Sequence, residues 1–176
     1  CIRDSMSGAS FPDMEKYMRQ HALIWEQLPM QWNEGAFLGN GLVGMMVYAD
    51  STLNALVFHL GRPDVPDHRK APYRKTSIGT EEADKMVDFC RLDVGKMLLF
   101  PEGKILSGTF YLDIYNAELT GHLKTDKGDL TFHAYTPQPE EVNIVEVSSG
   151  VPYRWKGITG NPCSPRIRVF PHLKEK

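Results

Sequence analysis

The chain has 176 residues, of which 41% are hydrophobic and 24% charged, and its formal net charge is −2. This balance predicts a globular fold, because disordered chains carry much less apolar surface. The basic residues are spread along the chain, which argues against a nucleic-acid partner. No apolar run approaches the roughly 20 residues of a membrane helix.

The first sixty residues predict a short helix followed by a β-rich segment. The predicted elements are a leader (1–10), a short helix capped by Ser10 (11–20), a strand (21–25), a loop (29–41) and two hairpin strands (42–49 and 53–60). Both hairpin strands are apolar on two faces, which is typical of strands buried between layers.

The remainder predicts a long charged connection, a second short helix and an antiparallel meander. In order these are the connection (61–79), the helix (80–91) and five strands (95–100, 108–115, 117–123, 130–134 and 142–147). Apolar and polar residues alternate along the meander, and residues 126–128 have the composition of a hairpin turn. The sheet is therefore expected to have one apolar and one polar face.

These elements predict a mainly β fold, an antiparallel β-sandwich of the supersandwich type with one or two short helices. The expected organisation is a leader and short helix (1–20), the sandwich (21–148), and an irregular tail or linker to a downstream domain (149–176).

The cysteines Cys1, Cys90 and Cys163 are far apart, and their odd number argues against a disulfide scaffold or a zinc site. A Cys90–Cys163 bridge and two free thiols both stay open. Mature bacterial lipoproteins begin with cysteine, so a lipid anchor at Cys1 is one hypothesis and an arbitrary boundary the other. The expected location is the periplasm or the cell surface.

No nucleophile elbow, P-loop, zinc-protease or dinucleotide motif is present in the sequence, so we predict no catalytic residue, metal or cofactor. Hydrolysis of a glycosidic bond needs two converging carboxylates. Loop acids such as Glu34, Asp64 and Asp67 are candidates, with solvated surface acids as the alternative. His122 and His133 flank the 126–128 turn and are predicted to pair on the polar surface rather than to bind metal.

Tryptophan rings can stack on the apolar face of a sugar. We expect Trp25 to lie in the core, while Trp32, in a polar loop, is the better sugar-contact candidate. Arg62, Asp64, Asp67 and His68 follow a predicted strand in the segment GRPDVPDHR. This cluster suits hydroxyl recognition and an internal salt-bridge network equally well.

The segment FLGNGLVGMMVY (37–48), preceded by Trp25, Trp32 and Gly35, resembles the opening of the N-terminal β-sandwich domain of family 95 glycoside hydrolases. Residues 95–147 are similar to the same domain, through the Leu112-Asp113-Ile114 core of a long strand. The chain departs from the family at residues 59–69, HLGRPDVPDHR, where the family has an N-E-D-T-x-W-like segment. Fucosidase specificity is therefore not carried over.

The resemblance implies a non-catalytic domain that supports a downstream (α/α)6 catalytic domain and borders its glycan cleft. By this analogy, the expected cleft-edge residues are Trp32, Asn40, Arg62, Asp64 and His68. The implied partners are the downstream domain and an oligo- or polysaccharide. Two alternatives stay open, an independent carbohydrate-binding module and a small stand-alone hydrolase that uses Asp64 or Asp67.

Overall fold

The computed structural model describes residues 13–63 and 94–159, and its mainly β fold confirms the predicted antiparallel β-sandwich. The elements are a helix α1 (Met14–Arg19), a 3-10 turn (Trp32–Glu34) and strands β1 (Leu23–Trp25), β2 (Ala36–Gly39), β3 (Gly44–Asp50), β4 (Ala55–Gly61), β5 (Gly95–Pro101), β6 (Ile105–Asp113), β7 (Glu118–Thr125), β8 (Asp129–Tyr135), β9 (Ile144–Ser149) and β10 (Tyr153–Thr159). Within these ranges no helix is both long enough and apolar enough to cross a membrane.

The strands form two five-stranded antiparallel sheets. Sheet A has the order β1-β6-β7-β8-β9, and sheet B has the order β10-β5-β4-β3-β2. The alternating apolar residues of both sheets meet in one core. In that core, Phe58 of sheet B and Phe110 of sheet A each meet the ring of Phe132 edge-to-face, with centroids 5.5 Å apart.

The two sheets differ in what their outer faces expose. Tyr48, Val57 and Leu98 form a second buried cluster on the outer face of sheet B. Strands β3 and β4 are therefore apolar on both sides, as the sequence predicted. Sheet A instead has a mostly exposed and polar outer face.

Three predictions about elements are wrong. The predicted loop 29–41 contains β2, which has too few residues for its alternation to stand out among glycines. The predicted irregular tail contains β10, which pairs with β5 along its whole length. Asp13, rather than Ser10, caps α1. The predicted leader, the predicted helix 80–91 and all three cysteines lie outside the described residues.

Gly121 of β7 leaves the space that the Phe132 ring fills. A Cβ atom at position 121 would overlap three carbons of that ring. The two residues are direct cross-strand partners, so the absent side chain and the large one complement each other.

We expect Gly121→Ala to lower the free energy of unfolding by about 1–3 kcal/mol, the usual cost of overpacking. A Phe132→Leu replacement in the same chain should recover part of this loss, because it vacates the ring position. Gly61→Ala is the control, since no atom of the described residues lies within 4 Å of its added Cβ. Equal denaturant midpoints for the two alanine variants would contradict this packing.

Asp113, at the end of β6, fastens α1 to the sandwich. Its carboxylate accepts hydrogen bonds from the backbone N–H groups of Tyr115 (2.9 Å) and Asn116 (3.2 Å), and from Arg19 of α1 (3.0 Å). Burial opposes the charged form, but the N–H groups of Asn116 and Tyr115 and the Arg19 charge outweigh it. The pKa of Asp113 is therefore lowered.

A lowered pKa means that the stabilisation by Asp113 is complete above the unfolded value of about 3.9 and is lost as the pH falls through the folded value. Asp113→Asn should lower stability by about 1–3 kcal/mol at pH 7 and flatten its decline below pH 4. Urea midpoints from pH 2 to 7 measure both effects, with Glu26→Gln as the control. If the urea midpoint of Asp113→Asn fell below pH 4 as steeply as that of the intact chain, Asp113 would not be held in its charged form.

Candidate functional site

The outer face of sheet A carries two aligned rows of side chains that cross its strands. The strand registers place five residues in the first row: Ile24, Tyr111, Thr120, His133 and Glu146. They place four in the second: Thr109, His122, Thr131 and Ser148. Because neighbouring strands are about 4.8 Å apart, the first row extends roughly 19 Å across five strands.

These rows line an open groove of about 520 Å³, which we call the sheet A groove. Short hydroxyl side chains, such as Thr120 and Thr131, alternate with the larger Tyr111 and His133. The short residues leave a depression between the larger ones. The Tyr111 side of the groove remains accessible, since this residue is 38% exposed.

Carboxylates hold the groove histidines in place. The two ring nitrogens of His133 lie 3.2 Å from Glu118 and Glu146, which belong to the strands on either side. His122 Nε2 lies 3.3 Å from Asp129. Both histidines lie on the polar face, as predicted, but they are not direct cross-strand partners, because His122 is opposite Thr131 and His133 is opposite Thr120.

The arrangement suits binding better than bond cleavage. The His133 ring occupies the space between Glu118 and Glu146, so these carboxylates do not converge on an open point where a glycosidic bond could lie. Both are also well exposed to solvent. Among the described residues, no group of three or more acidic, histidine or cysteine side chains is placed to hold a metal ion.

Asn40, one of the predicted cleft-edge residues, joins the two sheets at one end of the sandwich. Its Nδ2 donates to the carbonyls of Pro137 and Glu140, both at 2.8 Å, in the loop between β8 and β9. Its Oδ1 accepts from the N–H groups of Leu42 and Val43, both at 3.0 Å. The side-chain amide therefore braces the protein itself.

Arg62, at the end of β4, contacts the same loop. Its guanidinium lies 2.8 Å from the carboxylate of Glu141. The sequence left open hydroxyl recognition and an internal salt-bridge network for this segment. The contact with Glu141 fits the salt-bridge alternative. Asn143 adds a link within this end, since its Oδ1 accepts from Thr136 at 2.9 Å.

The remaining sequence-predicted residues divide into three groups. Asp64, Asp67 and His68 lie outside the described residues. Trp25 packs against the core as predicted. Trp32 is 62% exposed on its 3-10 turn, so it is not covered by the loop and stays a candidate for a sugar contact.

Sequence reasoning missed Tyr111, Thr120 and Glu146 as site residues. One signal was available, because Tyr111 is an aromatic residue on the polar side of an alternating strand. The alignment of these residues in one row depends on the registers of three strand pairs, which the sequence pattern does not specify.

Comparison with known proteins assigns no family to this chain. No protein-family model matches the sequence, and no curated protein is significantly similar to it.

Asn40→Ala removes four hydrogen bonds between the sheets and within the β2–β3 turn. We expect a loss of about 2–4 kcal/mol in the free energy of unfolding, because several backbone groups lose their partner. Asn40→Asp keeps the two acceptor contacts but cannot donate to the carbonyls. Its free energy of unfolding should lie between those of the intact chain and Asn40→Ala.

Asn33→Ala is the matched control for this series, since Asn33 is exposed on the 3-10 turn. Denaturant midpoints of the three variants give the comparison. A midpoint for Asn40→Ala equal to that of Asn33→Ala would show that the amide does not brace the two sheets.

Proposed function

We propose that this chain is a non-catalytic, carbohydrate-binding β-sandwich, which holds an oligo- or polysaccharide in the sheet A groove. The observation that carries the proposal is the aligned first row of the groove, in which an aromatic ring, a hydroxyl, an imidazole and a carboxylate follow one another across the strands.

The chemistry of this row matches that of a sugar chain. A pyranose ring presents an apolar C–H face, which packs on an aromatic ring such as that of Tyr111. Its hydroxyls both donate and accept hydrogen bonds, as do the hydroxyls of Thr120 and Thr131. The roughly 19 Å extent of the row offers room for several consecutive sugar rings.

The resemblance to family 95 glycoside hydrolases supports the same class of ligand. Under this proposal the domain accompanies a catalytic glycoside hydrolase domain and contributes glycan binding rather than bond cleavage. A polysaccharide ligand also fits the expected location in the periplasm or at the cell surface.

We expect the purified chain to bind an oligosaccharide and Tyr111→Ala to weaken that binding at least tenfold, through loss of the stacking surface. A glycan array identifies the ligand, and calorimetric titration then measures the affinity. Tyr153→Ala is the control, because Tyr153 is also exposed but belongs to sheet B.

Trp32→Ala separates the groove from the loop as the binding site. Loss of affinity in this variant, with Tyr111→Ala unchanged, would move the site to the 3-10 turn and contradict the groove. Absence of binding to any glycan would overturn the proposal as a whole.

A second candidate function is favoured by the braced loop end. Asn40 and Arg62 fix the β8–β9 loop against sheet B, which would make this end a firm support for a neighbouring domain. In that case the domain buttresses a downstream catalytic domain and borders its cleft. The isolated chain would then bind no glycan, while changes in this loop would alter the KM of the complete hydrolase.

A further inference from the structure

We infer that the sheet A groove selects uncharged glycans and rejects acidic ones, such as chains of uronic acids or sulfated sugars. This inference rests on the proposed function and adds the class of ligand to it. It is based on the carboxylates that surround the groove histidines, Glu118, Glu146 and Asp129.

The outer face of β7, β8 and β9 has an excess of negative charge. Three carboxylates face outward there, while Lys124, opposite Asp129, is the cation on the same face of these three strands. Among the described residues, no lysine or arginine lines the groove, so this lining offers none of the cationic forks that proteins use to bind carboxylates and sulfates.

The geometry of His133 keeps two of these charges beside the ligand. Because its ring contacts Glu118 on one side and Glu146 on the other, both carboxylates stay beside the first row while remaining exposed to solvent. Glu146 itself lines the groove. A charged sugar in this row would lie within a few ångströms of a like charge.

The direction of the hydrogen bonds also favours uncharged glycans over acidic ones. An ionised carboxylate only accepts hydrogen bonds, and each carboxylate oxygen has a second acceptor site beyond the one used by the histidine. A sugar hydroxyl can donate to that site. An acidic substituent at the same position has only acceptors to offer, so it loses the contact and adds repulsion.

The test compares neutral hexose oligosaccharides with hexuronate oligosaccharides of the same linkage and length, by calorimetric titration at pH 8 and low ionic strength. We expect the intact chain to bind the neutral member at least tenfold more tightly. The double variant Glu118→Gln, Glu146→Gln should reduce this ratio at least threefold, because glutamine keeps the shape and removes the charge. Raising the salt to 0.5 M should narrow the ratio in the intact chain by screening.

Glu26→Gln is the matched control, because its carboxylate lies outside the groove and the preference for neutral chains should persist. Asp129→Asn is a second variant away from His133, and should reduce the ratio by a smaller factor. Equal affinity of the intact chain for neutral and acidic members, or an unchanged ratio in the double variant, would overturn this inference alone. Failure of the intact chain to bind either member would instead overturn the proposed function.

Discussion

The edge-to-face contact between Phe58 and Phe132 joins the two sheets, and it requires a glycine at position 121 beside the Phe132 ring. That requirement fixes the register between β7 and β8, because a slip by one residue would place Thr120 or His122 under the ring. The same slip would turn the outward residues of β8, such as His133, toward the core. The register between β7 and β8 therefore determines both the core contact on the inner face of sheet A and the alignment of the groove on its outer face.

The different outer faces of the two sheets determine where a ligand can bind. Sheet B buries Tyr48, Val57 and Leu98 on its outer face, so that side is committed to packing. Sheet A uses only its inner face for the core, so every second residue of its central strands is available for recognition. Threonine suits these positions, because its β-branch favours the strand and the hydroxyls of Thr120 and Thr131 donate to carbonyls of the neighbouring strands, at Tyr111 and Ser148.

The sequence predicted the sandwich because alternation in the long strands is strong, and it predicted the turn at Gly128, whose φ is +149°. It missed β2, which is only four residues long and ends in glycine, and β10, which is interrupted by Gly157 and pairs with the distant β5. The candidate site was less predictable for the same reason. A polar residue such as Tyr111 can be assigned to a face from its neighbours, but its row partners depend on strands that are distant in the chain.

The LGNG segment, on which the expected resemblance to family 95 glycoside hydrolases rests, is explained by the local geometry of the chain. Gly44 approaches the carbonyl of Leu38 so closely that a Cβ would lie only 2.9 Å away, and Gly41 has a φ of +90°. The side-chain amide of Asn40 forms hydrogen bonds with backbone groups of its own turn and of the β8–β9 loop of the opposite sheet. Each conspicuous residue of the segment therefore has a role in folding a tight hairpin and fixing it to the other sheet. These roles concern the architecture of the sandwich, so the proposed binding of sugars depends on the outer face of sheet A.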